Sequence, residues 1–197
     1  MSLTKSILAR LRRLRRDESG SGTVEMVFMV PLLCWCLLST ISYFHAYRSE
    51  HVATKAATTL ADMVSRETEY ITPSYLNGMR GMLRFLTMSD TVPSYRLTVI
   101  MWNEDKNKYV VRWSRERGDK PTLRTSDLPD ISNQLPLLKD QERAIIVETW
   151  TDYVPQYEYN LGLNEFEFES FIVTRPRFST QLCFAPTAET DPVDAKC

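Results

Sequence analysis

The hydrophobic pattern changes period twice along this chain. Thr23–Phe44 (TVEMVFMVPLLCWCLLSTISYF) is apolar on every side, with Glu25 as its one charge. A helix rises ~1.5 Å per residue, so a run of this length crosses the ~30 Å hydrocarbon core of a bilayer. Pro31 is tolerated in a membrane helix, and Tyr43, Phe44 and Tyr47 at the far end suit an interfacial aromatic belt. Beyond them Val52, Ala56, Leu60, Met63 and Val64 keep a one-sided stripe of helical period, while Lys55, Thr58, Thr59, Asp62 and Glu67 fall mainly on other faces. No breaker appears before Pro73, so one helix is expected to run on to about Glu69. Tyr75, Met79, Met82, Leu83 and Leu86 predict a second helix over 74–88, which Gly78 and Gly81 weaken.

The pattern then becomes that of strands. Residues 96–103 (RLTVIMWN) and 109–115 (YVVRWSR) are rich in β-branched and aromatic side chains and flank a polar turn at 104–108, which predicts a hairpin. Residues 144–153 and 166–174 read as a third and a fourth strand. Between the second and third strands, 118–138 holds Pro121, Pro129 and Pro136 and reads as a long loop. The expected fold class is α+β: a long N-terminal membrane-spanning helix continuing into a small head, with a second helix and an antiparallel sheet of about four strands. The expected division is a basic cytoplasmic leader at 1–20, a transmembrane and stalk helix at 21–70 with its span at 23–44, and an extracytoplasmic head at 71–197.

Charge orients this plan. Of the 24 basic and 25 acidic side chains, Lys5, Arg10, Arg12, Arg13, Arg15 and Arg16 crowd into the first twenty residues with only Asp17 and Glu18, which leaves the remainder acidic. Basic residues precede the apolar segment and only Arg48 and Lys55 follow closely, so the N-terminus belongs in the cytoplasm and the head outside. An acidic head argues against nucleic acid as a partner. Leu3, Ile7, Leu11 and Leu14 allow the leader to lie as an amphipathic helix on the inner leaflet; ordinary flanking charges explain it equally well. A cleaved secretory signal fits less well, because the apolar run is long and no small-x-small site closes it, Ala46 being an unattractive one.

Candidate chemistry is sparse. No nucleophile elbow, phosphate loop, dinucleotide fingerprint or zinc spacing is present. His45 and His51 stand six apart, the wrong spacing for a helical metal pair, so no metal or cofactor is expected. Glu165, Phe166, Glu167, Phe168 and Glu169 alternate as a strand with phenylalanines inward and glutamates solvated, rather than as a calcium loop. Cys34 and Cys36 diverge on a helix. Cys183 and Cys197 would close a loop in the polar C-terminal part if that part is in an oxidising compartment; free thiols and an intermolecular bridge are the alternatives.

The most informative segment is Gly20-Ser21-Gly22-Thr23-Val24-Glu25. A glycine ends the basic leader, and a carboxylate stands five residues beyond it at the cytoplasmic start of the apolar helix. A carboxylate inside a membrane segment is costly and usually has a partner or a task. The arrangement resembles a type IV prepilin. Val24–Leu33 with its proline, Ile145-Ile146-Val147-Glu148 followed by Tyr153-Val154-Pro155, and Arg175-Pro176-Arg177 are similar to stretches of the TadE/TadF-like minor pilins of the Tad pilus system. Met26 departs from the aromatic usual in that branch, and the stretch from about 71 to 140 carries no resemblance.

The resemblance implies a structural subunit, not an enzyme. A prepilin peptidase would cut between Gly20 and Ser21, and Glu25, then the fifth residue, would pair with the freed amine of a neighbouring subunit. A cut after Gly22 would put Glu25 third. The implied partners are the membrane, the peptidase, sibling Tad pilins and the inner-membrane assembly platform with its ATPase. The implied location is the inner membrane with the head in the periplasm or outside, or within an extracellular pilus. The chain is too long to resemble the very short major pilin. The competing reading is an unprocessed bitopic membrane protein whose periplasmic domain binds a partner or ligand.

Overall fold

The computed structural model describes residues 21–155, 166–186 and 195–197. The basic segment 1–20, with Gly20, lies outside the described residues, as does Glu165. The elements are α1 (Ser21–Ser65), α2 (Pro73–Thr87), β1 (Ser94–Asn103), β2 (Lys108–Arg117), a 3-10 helix (Leu128–Gln134), β3 (Arg143–Tyr153) and β4 (Phe166–Thr174). The chain divides into two compact units between Phe44 and His45. The part of α1 from His45 on therefore belongs to the packing unit of the head.

In the first unit, α1 presents Val24, Phe28, Leu32, Leu33, Trp35 and Phe44 outward, all exposed. Its length and composition suffice to cross a membrane, and none of its most apolar window is buried within the protein. Pro31 sits inside the helix and removes one backbone donor. Thr40 Oγ1 donates to the Cys36 carbonyl at 2.8 Å and Ser42 Oγ to Leu38 at 2.9 Å, so these hydroxyls are satisfied within the helix, as an apolar solvent demands.

In the second unit the pattern inverts. Ala53, Ala56, Ala57, Leu60, Ala61 and Val64 are buried at spacings of three and four, and the threonines between them face out. Val52 and Met63 of the expected stripe lie at its edges, half-buried. The helix stops at Ser65, short of Glu69. Arg66 N–H and Glu67 N–H bond back to Met63 and Val64 at 3.2 Å in tightened turns, and the Arg177 N–H takes the Ser65 carbonyl at 2.7 Å. α2 begins one residue earlier than expected. Thr72 caps it by accepting from the Tyr75 N–H, Pro73 occupies its first turn, and Met88 in the left-handed region closes it.

The four strands form one antiparallel sheet in the order β2-β1-β3-β4. The register Leu97↔Val147 and Val147↔Ile172 sets one face against the helices. There Leu97, Val99, Trp113, Ile145 and Val147 pack with Leu60 and Val64 of α1 and Leu76, Met79 and Leu83 of α2. A bulge between Val99 and Ile100 leaves Arg112 as the extra residue of β2. The other face is also covered. Leu123, Leu128, Leu135 and Leu138, from the expected loop, bury Ile100, Ala144 and Ile146. The three prolines are real breakers, but the leucines among them make this loop a lid on a second core. Gly118 permits the turn into it: its φ is +133°, and a Cβ there would run into the Ser94 side chain.

Candidate functional site at the start of the long helix, and the scaffold behind it

Ser21 is the first residue of α1, and Glu25 lies one turn further on, exposed. Helical spacing places Glu25 one turn beyond the first residues of α1. A Cβ built on Gly22 would meet nothing within 4 Å. Backbone N–H groups of the first turn are unpaired within any helix and carry its positive end, which favours a carboxylate nearby. Among the described residues, no ion pair or hydrogen bond engages Glu25. The carboxylate thus stands exposed near the start of an apolar helix. Ser21 and Glu25 are brought together by the helix; Gly20 lies outside the described residues.

The other residues singled out in the sequence go to the head's scaffold. Cys183 and Cys197 form a disulfide with Cα atoms 4.3 Å apart. Phe184 pairs with Lys196 on one side (N–H to O, 2.8 Å) and bridges Ile71 on the other, so the bond fastens the C-terminal segment to the link between α1 and α2. Trp113 Nε1 donates to the Leu182 carbonyl at 2.8 Å, and the Arg115 guanidinium lies 4.2 Å from the centre of the Phe184 ring.

Glu148 faces Arg96 across β3 and β1, and the two form a bidentate pair with both contacts at 2.6 Å. The pair is shielded: the side chains are 4% and 11% exposed. Arg96 also donates to the Pro121 carbonyl at 2.7 Å and lies 5.3 Å from the Trp150 ring centre, so it ties the loop to the sheet. Removing one partner of such a pair leaves a buried charge uncompensated. Arg177 reaches Asp62 of α1 at 3.1 Å, and Arg175 reaches Glu142 at 3.2 Å and the Leu137 carbonyl at 3.1 Å. The Arg-Pro-Arg segment thus ties the end of β4 to the long helix on one side and to the loop on the other.

In the described part of the alternating stretch, Phe168 is half-buried and Phe166 is 40% exposed, which departs from an inward pair. Both cluster with Tyr153, at 5.5 and 5.0 Å between ring centres. Glu167 bonds Lys120 at 2.7 Å. His45 and His51 are exposed on α1, and Cys34 and Cys36 are free and exposed. Among the described residues no group of three or more His, Cys, Asp or Glu could hold a metal.

Sequence reasoning missed a cleft of about 580 Å³ at the tip of the β1–β2 hairpin, lined by Trp102, Tyr109, Lys108, Ser126, Leu128 and Ser132 among others. Trp102 and Tyr109 meet edge to face, 4.7 Å between centres, and Tyr109 Oη donates to the Pro136 carbonyl at 2.9 Å. Their apolar rings fitted a strand pair, and nothing in the linear pattern told that the loop would stand off from them.

Comparison with known proteins finds no matching family model, no matching curated protein and no matching solved structure.

Proposed function

We propose that this chain is a membrane-anchored structural subunit, a minor pilin or pseudopilin of the TadE/TadF type, and not an enzyme. The observation that carries the reading is Glu25: an exposed carboxylate at the start of a long apolar helix, five residues past a glycine that ends a basic segment. Cutting after Gly20 would create an ammonium on Ser21. In a side-by-side array of helices, the ammonium of one subunit and Glu25 of another would meet at the same depth, where low dielectric strengthens their attraction and lone charges are disfavoured. The large apolar side chains of α1 up to Phe44 would then face lipid before assembly and neighbouring helices after it. The basic residues before the span support a cytoplasmic N-terminus, and the disulfide supports a head in an oxidising compartment. The head, braced by the Arg96–Glu148 pair and the disulfide, would cap, prime or regulate the fibre.

The test is assembly. In cells carrying the native peptidase and platform, Glu25→Ala is expected to insert and fold as wild type does but to vanish from the sheared fibre fraction. Incorporation at the wild-type level would remove the role given to Glu25. The cleft at the hairpin tip favours a second reading, an unprocessed bitopic protein with a ligand-binding head. Under that reading residues 1–20 stay attached and Glu25→Ala changes nothing outside the membrane.

A further inference from the structure

The cleft at the hairpin tip has two walls, both within the head. One is the β1–β2 hairpin, with Trp102, Asn107, Lys108 and Tyr109; the other is the loop after β2, with Leu128, Pro129 and Ser132. The loop is fastened to the hairpin before and after the stretch that lines the opening. Thr125 Oγ1 accepts from the Val111 N–H at 3.1 Å, and the Pro136 carbonyl accepts from Tyr109 Oη at 2.9 Å. Between these ties Leu128 and Leu135 sink into the second core, and the 3-10 helix sets the course of the backbone. The opening is therefore built into the fold. Its volume of about 580 Å³ falls in the range of small-molecule sites, which are mostly apolar with a few polar groups that set orientation.

Hydrogen-bond accounting gives the cleft a sign. Ser126 Oγ spends its proton on Asp127 Oδ1 at 2.8 Å, Ser132 Oγ on the Pro129 carbonyl at 2.8 Å, and Tyr109 Oη on Pro136. Among the described residues, no acceptor takes the Trp102 indole N–H, the Asn107 side-chain amide or the Lys108 ammonium. No aspartate or glutamate is among the described residues that line the cleft. Asp127, beside Ser126, is held within its own loop by Ser126 and by the Arg124 N–H at 2.9 Å. Glu104 and Asp105 of the hairpin turn and Asp130 of the 3-10 helix are exposed outside the lining. An apolar slot whose unspent groups are donors, one of them cationic, complements an apolar molecule with an anionic end.

We infer that this cleft binds a small amphiphilic carboxylate, its flat apolar body between the Trp102–Tyr109 rings and Leu128–Pro129, its carboxylate taken by the unspent donors with Lys108 foremost. The inference concerns the head alone. It holds for a fibre subunit and for an unprocessed bitopic protein alike, and it gives the head a recognition role besides an architectural one.

The test is a titration of the full chain in detergent with naphthalene-2-carboxylate, followed through the indole N–H signals of its four tryptophans by nitrogen–proton correlation NMR, with Trp102→Phe assigning the signal of Trp102. Naphthalene-2-methanol supplies the same body without the charge. Lys108→Met removes the cation and Ser132→Phe fills the opening, each from an exposed position. A saturable shift of the Trp102 signal is expected, with those of Trp113 and Trp150 unmoved. Lys108→Met should weaken carboxylate binding about fivefold at low salt, the upper end for an exposed ion pair, and leave the alcohol's affinity unchanged. Ser132→Phe should abolish binding of both. The absence of a saturable shift at Trp102 overturns the assignment, as does saturation that survives Ser132→Phe. So does a carboxylate affinity that Lys108→Met leaves intact or lowers together with that of the alcohol. The urea midpoint checks the fold of each variant, and the two affinities of Lys108→Met decide alone should Ser132→Phe fail to fold.

Discussion

The two parts of α1 are one continuous helix with opposite rules for where apolar side chains go. Up to Phe44 the large ones point outward all round, and none of the most apolar window is buried. From His45 on, the buried side chains are mostly alanines with Leu60 and Val64, restricted to one stripe, and the rest of the surface is polar. Backbone geometry is shared, so the difference lies in what each part meets. A helix apolar all round fits a solvent that is itself apolar; a stripe on one side fits a core that covers that side alone. The change falls between Phe44 and His45, where the chain also divides into two units.

The largest expected effect separates the two parts by the same substitution. Leu60→Ala should destabilise the head by about 2–5 kcal/mol, because Leu60 is fully buried in the core and its loss leaves a cavity. Leu33→Ala should leave the head's chemical-denaturation midpoint unchanged, since Leu33 touches no core. Equal losses would erase the distinction. A charge sharpens it from the other side: Leu33→Arg should cost about 2.5–3.5 kcal/mol of membrane insertion, read as the inserted fraction, with no change in head stability. Insertion indifferent to that arginine would contradict a lipid environment.

The smallest effect is alkaline and confined to the head. Burial holds the Tyr95 hydroxyl above its usual value, outweighing the nearby Arg117, while Tyr95 donates to the Leu76 carbonyl at 2.7 Å. Tyr75 is raised as well, by burial first and by Glu67 second. Both folded values lie above the unfolded one, so the stabilisation is complete below about pH 10 and drains away as pH rises further. The urea midpoint of the wild-type head should fall from about pH 10 upward, more steeply than that of Tyr95→Phe. Identical slopes would show that Tyr95 is not the group that sets the alkaline limit.

Much of this architecture was legible because it is written in periodicity. The long helix and α2 follow from an apolar run and from one-sided stripes, the four strands from runs rich in β-branched and aromatic side chains, and the strand limits fall within a few residues. The end of α1 was missed because residues 66–69 carry no breaker; the helix stops where Arg177, more than a hundred residues away in sequence, takes its carbonyl. The stretch 118–138 reads as a long loop from its prolines. Its leucines have no period and acquire a partner only when the sheet offers them a second face. Arg96 and Glu148 were invisible as a pair for the same reason, since their meeting depends on the β1–β3 register. Glu25 stood out because a single charge in an apolar run contradicts its surroundings, and a local contradiction needs no tertiary structure to be seen.

The central claim concerns one peptide bond. The mature N-terminus should be determined by mass spectrometry on protein made with the native prepilin peptidase, for wild type and Gly20→Ala. The account predicts that the wild type begins at Ser21 and that the variant keeps residues 1–20. A wild type that retains its first twenty residues beside an active peptidase would contradict it and leave an unprocessed, membrane-anchored binding protein in its place.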